Sequence, residues 1–166
     1  MTLALWSGIC DGLYVEVLPM DATQKQKLFA LLAQQHVAVV STLGEEWPTT
    51  TVQAFAETPE FEMILIMLES APKFQNLKMR PQVTLHIDNR DKGDITTLQI
   101  IRAWIEGIAR EVPKGSPEWE TSKGVFLKKN PFEAPFFTYD ALRMIRVAPK
   151  RVSYANGVSD SFKAEV

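Results

Sequence analysis

The segment Ser70-Ala-Pro-Lys-Phe-Gln-Asn-Leu-Lys-Met-Arg-Pro81 decides how the rest of the chain is read. It lies between two strand-like runs, Phe61 to Leu68 and Val83 to Asp88. Ser70 is a good N-cap type, Pro72 is tolerated in a first helical turn, and Pro81 stops a helix. A short helix inserted between two strands is therefore expected over 70–81. The residue out of place is Lys73. A cation in the first turn opposes the helix dipole, which favours anions there by roughly 0.3–1 kcal/mol. Two readings stay open. Glu69 can pair with Lys73 four residues on, leaving the lysine merely solvated. Alternatively an anion sits at the helix start, where free backbone N–H groups and Lys73 would both face it.

On the N-terminal side, Asp21 to Gln35 reads as an amphipathic helix. Leu28, Leu31, Leu32 and Gln35 share one side with Phe29 adjacent, and Asp21 or Thr23 can cap the start. Val37 to Thr42 is a strand, Gly44-Glu-Glu-Trp-Pro48 a turn, and Thr49 to Ala56 a return strand rich in β-branched residues. Glu57 to Glu60 is a second turn leading into the Phe61 run. On the C-terminal side, Asn89 to Asp94 is a polar connection and Leu98 to Val112 a long strand. Its alternation puts Ile101, Ala103, Ile105, Gly107 and Ala109 on one face, suited to a barrel interior. Arg102, Trp104, Glu106, Ile108 and Arg110 share the other. That face is too apolar for open solvent and too charged for a core, which points to an interface or ligand wall. Ser116 to Lys129 reads as a helix burying Trp119, Val125, Phe126 and Leu127, followed by a rigid aromatic loop, Asn130 to Phe137. Ala141 to Val147 and Arg151 to Tyr154 read as two closing strands around Pro149, Asn156-Gly157 as a turn, and Val158 to Val166 as a weakly ordered tail. Many antiparallel strands, few helices and no βαβ rhythm argue for a mainly β fold, a closed or nearly closed barrel.

The 166 residues suit a single domain with a sizeable core, and 46% hydrophobic with 23% charged content is ordinary for a globular chain. A formal net charge of −2 gives no general attraction to nucleic acid or to anionic membrane, and the basic residues form no patch. Cys10 is alone, which excludes an internal disulfide and accords with a reducing compartment. The cysteine has no neighbouring histidine and reads as a small packing residue. The first ten residues lack a basic start, so no signal peptide is expected, and no apolar run is long enough to span a bilayer. The cytoplasm is the default location. The two histidines, His36 and His86, come without clustered thiols or carboxylates, so no metal site is expected and each reads as structural. There is no Gly-rich dinucleotide fingerprint and no P-loop.

Strand, Ser-x-x-Lys-x-x-Asn-Leu, then proline and strand resembles the pyridoxamine 5'-phosphate oxidase-like, FMN-binding split-barrel superfamily. The likeness runs from Gln35 to about Val112. It takes in the hairpin His36-Val-Ala-Val-Val-Ser-Thr-Leu-Gly-Glu-Glu-Trp-Pro-Thr and the late strand Trp104-Ile-Glu-Gly-Ile-Ala109. The resemblance implies an antiparallel split barrel of six to seven strands with flanking helices, its core over about 22–156. It also implies a homodimer with FMN bound at the subunit interface. Carried over by position, Lys73 would meet the phosphate with Ser70 and the helix N-terminus, and Asn76 follows one turn on. Thr50, Thr51, Val52 and Gln53 would line the flavin edge, and Arg102 would reach the flavin from the late strand. Each also has a plainer role open to it: Thr50 to Gln53 as strand formers, Asn76 as a surface residue, Arg102 as a partner of Glu106. Many members carry a basic residue just before the phosphate lysine. Here that residue is Pro72, so one phosphate charge is missing unless Arg80, Arg102 or a second subunit replaces it.

The function implied is hydride or electron transfer through FMN to or from a small molecule, with the cofactor doing the hard chemistry. The residues that bind pyridoxal phosphate in the true oxidases are not recognisable, so that activity is not expected. A flavin- or small-ligand-binding protein without turnover, and a deazaflavin-dependent reductase of the same fold, are the alternatives. Phe126-Leu-Lys-Lys-Asn-Pro131, Leu142 to Pro149 and Tyr154-Ala-Asn-Gly157 look like the haem-utilisation branch. In that branch a histidine near the C-terminus can ligate haem. None follows His86, so haem degradation is not expected.

Overall fold

The computed structural model describes residues 18–94, 96–97 and 99–166. Cys10 and the apolar start lie outside the described residues, as does Leu98, the expected first residue of the long strand. Helix α1 (Ala22–Gln34) starts at Asp21, whose carboxylate accepts the Gln24 N–H at 2.8 Å while Gln24 Oε1 accepts the Asp21 N–H at 3.0 Å. This reciprocal cap fixes the helix entry and turns Leu28, Leu31 and Leu32 inward. Strands β1 (Val37–Leu43) and β2 (Pro48–Glu57) form the expected hairpin, and β3 (Met63–Leu68) follows. The third strand starts two residues later than expected. Phe61 has φ 65, in the left-handed region, so it closes the turn rather than opening the strand.

Helix α2 (Pro72–Met79) separates β3 from β4 (Gln82–Asp88), and β5 (Ile101–Val112) pairs along β4. After α3 (Pro117–Lys129) and a 3-10 segment (Pro131–Thr138) come β6 (Leu142–Asn156) and β7 (Asp160–Glu165). The aromatic loop is thus helical. The two expected closing strands are one. Pro149 lies opposite Gly107 and Arg151 opposite Glu106, so Lys150 is an extra residue and the strand passes the proline through a bulge. The C-terminal segment is also not a loose tail. β7 pairs with β6, Phe162 stacks on Tyr154 at 5.0 Å, Ala164 is buried, and Asp160 pairs with Lys27 at 2.8 Å.

All strand pairs are antiparallel. They run β3-β2-β1-β4-β5-β6, and β6 pairs back onto β3 to close a six-stranded barrel, leaving β7 outside. One hydrophobic cluster fills the interior. It includes Val40, Phe55, Leu65, Leu85, Ile105 and Val147, with α1 and α2 contributing Leu28, Leu32, Phe74 and Leu77. Because α1 leads into the start of β1 and α2 is bonded to its end, the two helices close opposite mouths. A second cluster lies outside the barrel, where Trp119 and Phe126 of α3 cover Ala54, Ala56, Ile64 and Met144. In α3 Ser122 is buried, while Val125 and Leu127 are only half-buried, as a 3.6-residue period from Trp119 and Phe126 requires. Lys129 ties this layer together. Its ammonium donates to the Leu32 carbonyl at 2.8 Å and pairs with Glu57. Among the described residues no helix is long and apolar enough to cross a membrane.

Candidate functional site

On β2, Thr49, Thr51 and Gln53 alternate with Thr50 and Val52. The first set shares the face of Phe55, which is in the barrel core, and the second faces outward, with Val52 67% exposed. β2 and β3 pair only from Phe55–Leu65 to Glu57–Met63. Beyond that point the strands diverge. A cavity of about 240 Å³ opens there, bordered by Val52, Gln53, Met67, Leu68, Glu133 and Phe136. Both polar atoms of the Gln53 amide are buried without a hydrogen-bond partner among the described residues. An unmet donor and acceptor of this kind cost about 1–3 kcal/mol each, so the amide marks a place where a complementary group is missing.

Lys73 stands in the first turn of α2. Its ammonium is half-buried and lies 3.5 Å from the Thr51 hydroxyl, to which it donates. Burial pushes its pKa down. The Glu69 pairing open to it from spacing does not form, because Glu69 pairs with Arg143 instead. Among the described residues no carboxylate lies within ion-pair distance of Lys73.

The other expected contributors are distributed differently. Ser70 is exposed and does not cap the helix. The cap is Ala71, without a side-chain bond, because Pro72 at the first helical position moves the boundary one residue on. The Phe74 and Gln75 N–H groups already bond to the Ala71 carbonyl, at 2.9 and 3.3 Å, and Pro72 has no N–H. The helix start therefore offers an anion less than the sequence suggests, and the lysine more. Asn76 donates to the Thr42 and Thr49 hydroxyls at 3.0 and 3.3 Å, tying α2 to the hairpin end. Arg80 bonds the Gly44 carbonyl and serves the same junction. Arg102 packs over the Trp104 ring at 5.9 Å, while Glu106 pairs with Arg151 at 2.7 Å rather than with Arg102. In the strand order β5 is three places from β2, roughly 14 Å at the usual strand spacing. Within one chain, then, Lys73 meets Thr51, Gln53 stands two residues along the same face of β2, and Arg102 lies three strands away.

No protein-family model and no curated protein matches the sequence. Solved structures do match the fold. A haem-binding protein from Mycobacterium smegmatis superposes with a TM-score of 0.73 at 16% identity, covering 81% of this chain and 55% of that one. A Listeria innocua protein assigned as a pyridoxamine 5'-phosphate oxidase gives 0.59 at 16% identity, covering 80% and 98%. An FAD-binding protein from Mesorhizobium loti gives 0.64 at 12% identity, covering 78% and 90%. The fold is the pyridoxamine 5'-phosphate oxidase-like split barrel. At these identities the likeness carries the architecture alone, and the chain spans just over half of the Mycobacterium protein.

This split barrel has one further group that residue-by-residue reading passed over. His86 Nε2 lies 2.9 Å from Asp88 Oδ2, Arg90 bonds the same carboxylate through Nε at 2.7 Å, and Trp104 meets the His86 ring edge-on at 4.8 Å. The arginine holds the Asp88 carboxyl at about 2, well below the usual range. The signal was present in the spacing, since His86 and Asp88 stand two apart on one strand and share a face.

Proposed function

We propose that this split barrel binds FMN, with the phosphate on Lys73, and passes hydride or electrons between the flavin and a small molecule. The observation that carries the reading is the half-buried Lys73 ammonium, which has no carboxylate partner among the described residues. A phosphate would supply the missing charge, and such a charge-assisted contact is among the stronger hydrogen bonds. Thr51 holds the ammonium in place. The unpaired Gln53 amide, on the same face of β2, would meet the donor–acceptor edge of a planar ring. When bound, the flavin supplies the redox chemistry. The chain binds and orients it and excludes water along the β2–β3 divergence. The homodimer belongs to this reading, because Arg102, three strands from β2, is better placed to reach the flavin from a second copy.

Titrating apo-protein with FMN and following flavin fluorescence tests the assignment. Lys73→Ala should weaken binding by about ten- to hundred-fold, the equivalent of roughly 1.5–3 kcal/mol, and riboflavin should bind wild type less tightly than FMN. Equal titrations for mutant and wild type sink the phosphate assignment. A second reading, a flavin holder without turnover, is favoured by one observation. The group that Lys73 touches is the Thr51 hydroxyl, which is neither an acid nor a base at neutral pH. Reduction of the bound flavin by a nicotinamide donor separates the two.

A further inference from the structure

The 3-10 segment Pro131–Thr138 presents two different sides. On one, Phe137 packs into the outer cluster, edge-on to Trp119 at 6.3 Å and tilted against Phe126 at 6.1 Å. A 3-10 helix repeats every three residues, so Glu133 and Phe136 stand one above the other on another side. Both border the cavity of about 240 Å³ at the β2–β3 divergence. The segment is held firmly. Pro131 and Pro135 fix their own φ. Fully buried Asn130 anchors its start, donating to the Phe55 carbonyl at 2.8 Å, and Lys114 Nζ donates to the Tyr139 carbonyl beyond its end at 3.1 Å. Tyr139 also meets the Phe136 ring edge-on at 5.9 Å, which fixes that ring from one side.

Among the described residues Glu133 is the one charged group that borders this cavity. It is half-buried, and none of the described cations lies within ion-pair distance of it. The cations of neighbouring elements are engaged elsewhere. Lys129 pairs with Glu57, Arg143 with Glu69, and Lys123 lies over the Phe137 ring at 5.5 Å. The rest of the lining is mostly apolar, with Ile66 and Leu142 buried and Leu68 at the rim. An apolar floor, one aromatic wall and one unpaired carboxylate are complementary to an organic cation. The carboxylate attracts the charge, and the ring face attracts it again through its quadrupole. A neutral ligand would cover the carboxylate without pairing it, which costs free energy. The volume lies below the about 300–1,000 Å³ of drug-sized sites, so one ring with a short arm fills it. We propose that this cavity binds a small organic cation, a single apolar ring carrying an ammonium group, with Glu133 as its counter-ion and Phe136 as its wall. Of the residues that border the cavity on β2, only Val52 is exposed on the open outer face, and the site does not depend on it. Nor does it rest on the flavin reading, because the groups that meet the cation stand on the 3-10 segment, β3 and β6.

Calorimetric titration of the purified, flavin-free protein with benzylammonium, benzyl alcohol and benzoate tests it. Wild type should take one equivalent of benzylammonium per chain, bind benzyl alcohol at least about tenfold more weakly, and show no heat with benzoate. Glu133→Gln should bring benzylammonium down to the level of the alcohol. Phe136→Leu keeps an apolar side chain but removes the ring, and should weaken benzylammonium by about two- to fivefold more than it weakens the alcohol. A carboxylate in the first turn of the segment also suits the helix dipole. If that is the whole role of Glu133, the Gln variant changes the thermal midpoint slightly and leaves all three titrations as in wild type, and the proposal falls. Equal affinity of wild type for ammonium and alcohol, or no binding of benzylammonium, overturns it too. No flavin is present in these titrations, so their failure is read separately from that of the Lys73→Ala titration with FMN.

Discussion

Among the described residues the half-buried Lys73 ammonium meets no carboxylate, so only the Thr51 hydroxyl offsets its desolvation. Burial lowers the lysine's pKa in the folded state, so the unfolded state binds that proton more tightly. The cost is fully present while the folded lysine is protonated and is relieved as pH rises from its lowered folded value to its unfolded one. Replacing the charge with an apolar side chain of similar length should therefore help the empty protein. Lys73→Met is expected to raise the thermal stability of the apo form by about 0.5–1 kcal/mol, a gain typical of relieving a functional site, while removing its FMN affinity. Calorimetry without flavin checks this, and a destabilised apo mutant would mean that the lysine serves the fold. The lysine was legible in the sequence because its charge conflicts with its place in the helix. Ser70 was not, because which residue caps a helix turns on a one-residue boundary. Asn76 was legible as a position but not as a role, since its threonine partners at 42 and 49 are more than twenty-five residues away.

At the scale of elements, β-branched content made β2 readable, and alternation made β5 readable, because it has one face in the barrel and one outside. It failed at β7, where Asp160-Ser-Phe-Lys-Ala-Glu165 carries only Phe162 and Ala164 toward the core, too weak a pattern to show without its partner strand. It failed again at Pro149, which reads as a break unless the bulge across from it is known. That bulge has a second requirement on β5. A Cβ at Gly107 would lie 2.6 Å from the Ala148 carbonyl oxygen and 2.7 Å from Val147 Cγ1. The backbone of β6 cannot retreat without opening the barrel seam. Gly107→Ala is expected to cost about 1–3 kcal/mol, as overpacking does, measurable as a lower denaturant midpoint with an unchanged slope. A neutral substitution would show that the seam is loose.

Among the described residues one flank of the barrel is covered and one is bare. α3 and its aromatic cluster cover the outer face of β2, β3 and β6. No described helix covers the outer face of β1, β4, β5 and the start of β2. Val37, Leu43, Val52 and Ile108 lie on it, exposed, and Trp47 and Met79 are about four-fifths exposed at its hairpin end. Single exposed apolar residues need no explanation, but a contiguous set on one sheet face marks a contact surface. A two-fold axis through this face would pair it with its own copy, as symmetric dimers do. It would also bring Arg102 of one copy toward the β2 strand of the other, from which it is three strands removed within one chain. The expected state is a dimer at micromolar concentration, burying roughly 800 Å² per copy. Ile108 points outward on β5 and has no part in the proposed flavin contacts. Ile108→Asp should place a charge in the centre of the pairing and give a folded monomer. Sedimentation equilibrium of both proteins, with circular dichroism as the folding control, decides the matter. The mutant monomer should also bind FMN more weakly, because it loses the second copy's arginine. A wild type that sediments as a monomer across the micromolar range would remove the dimer, and with it any role for Arg102 at the flavin.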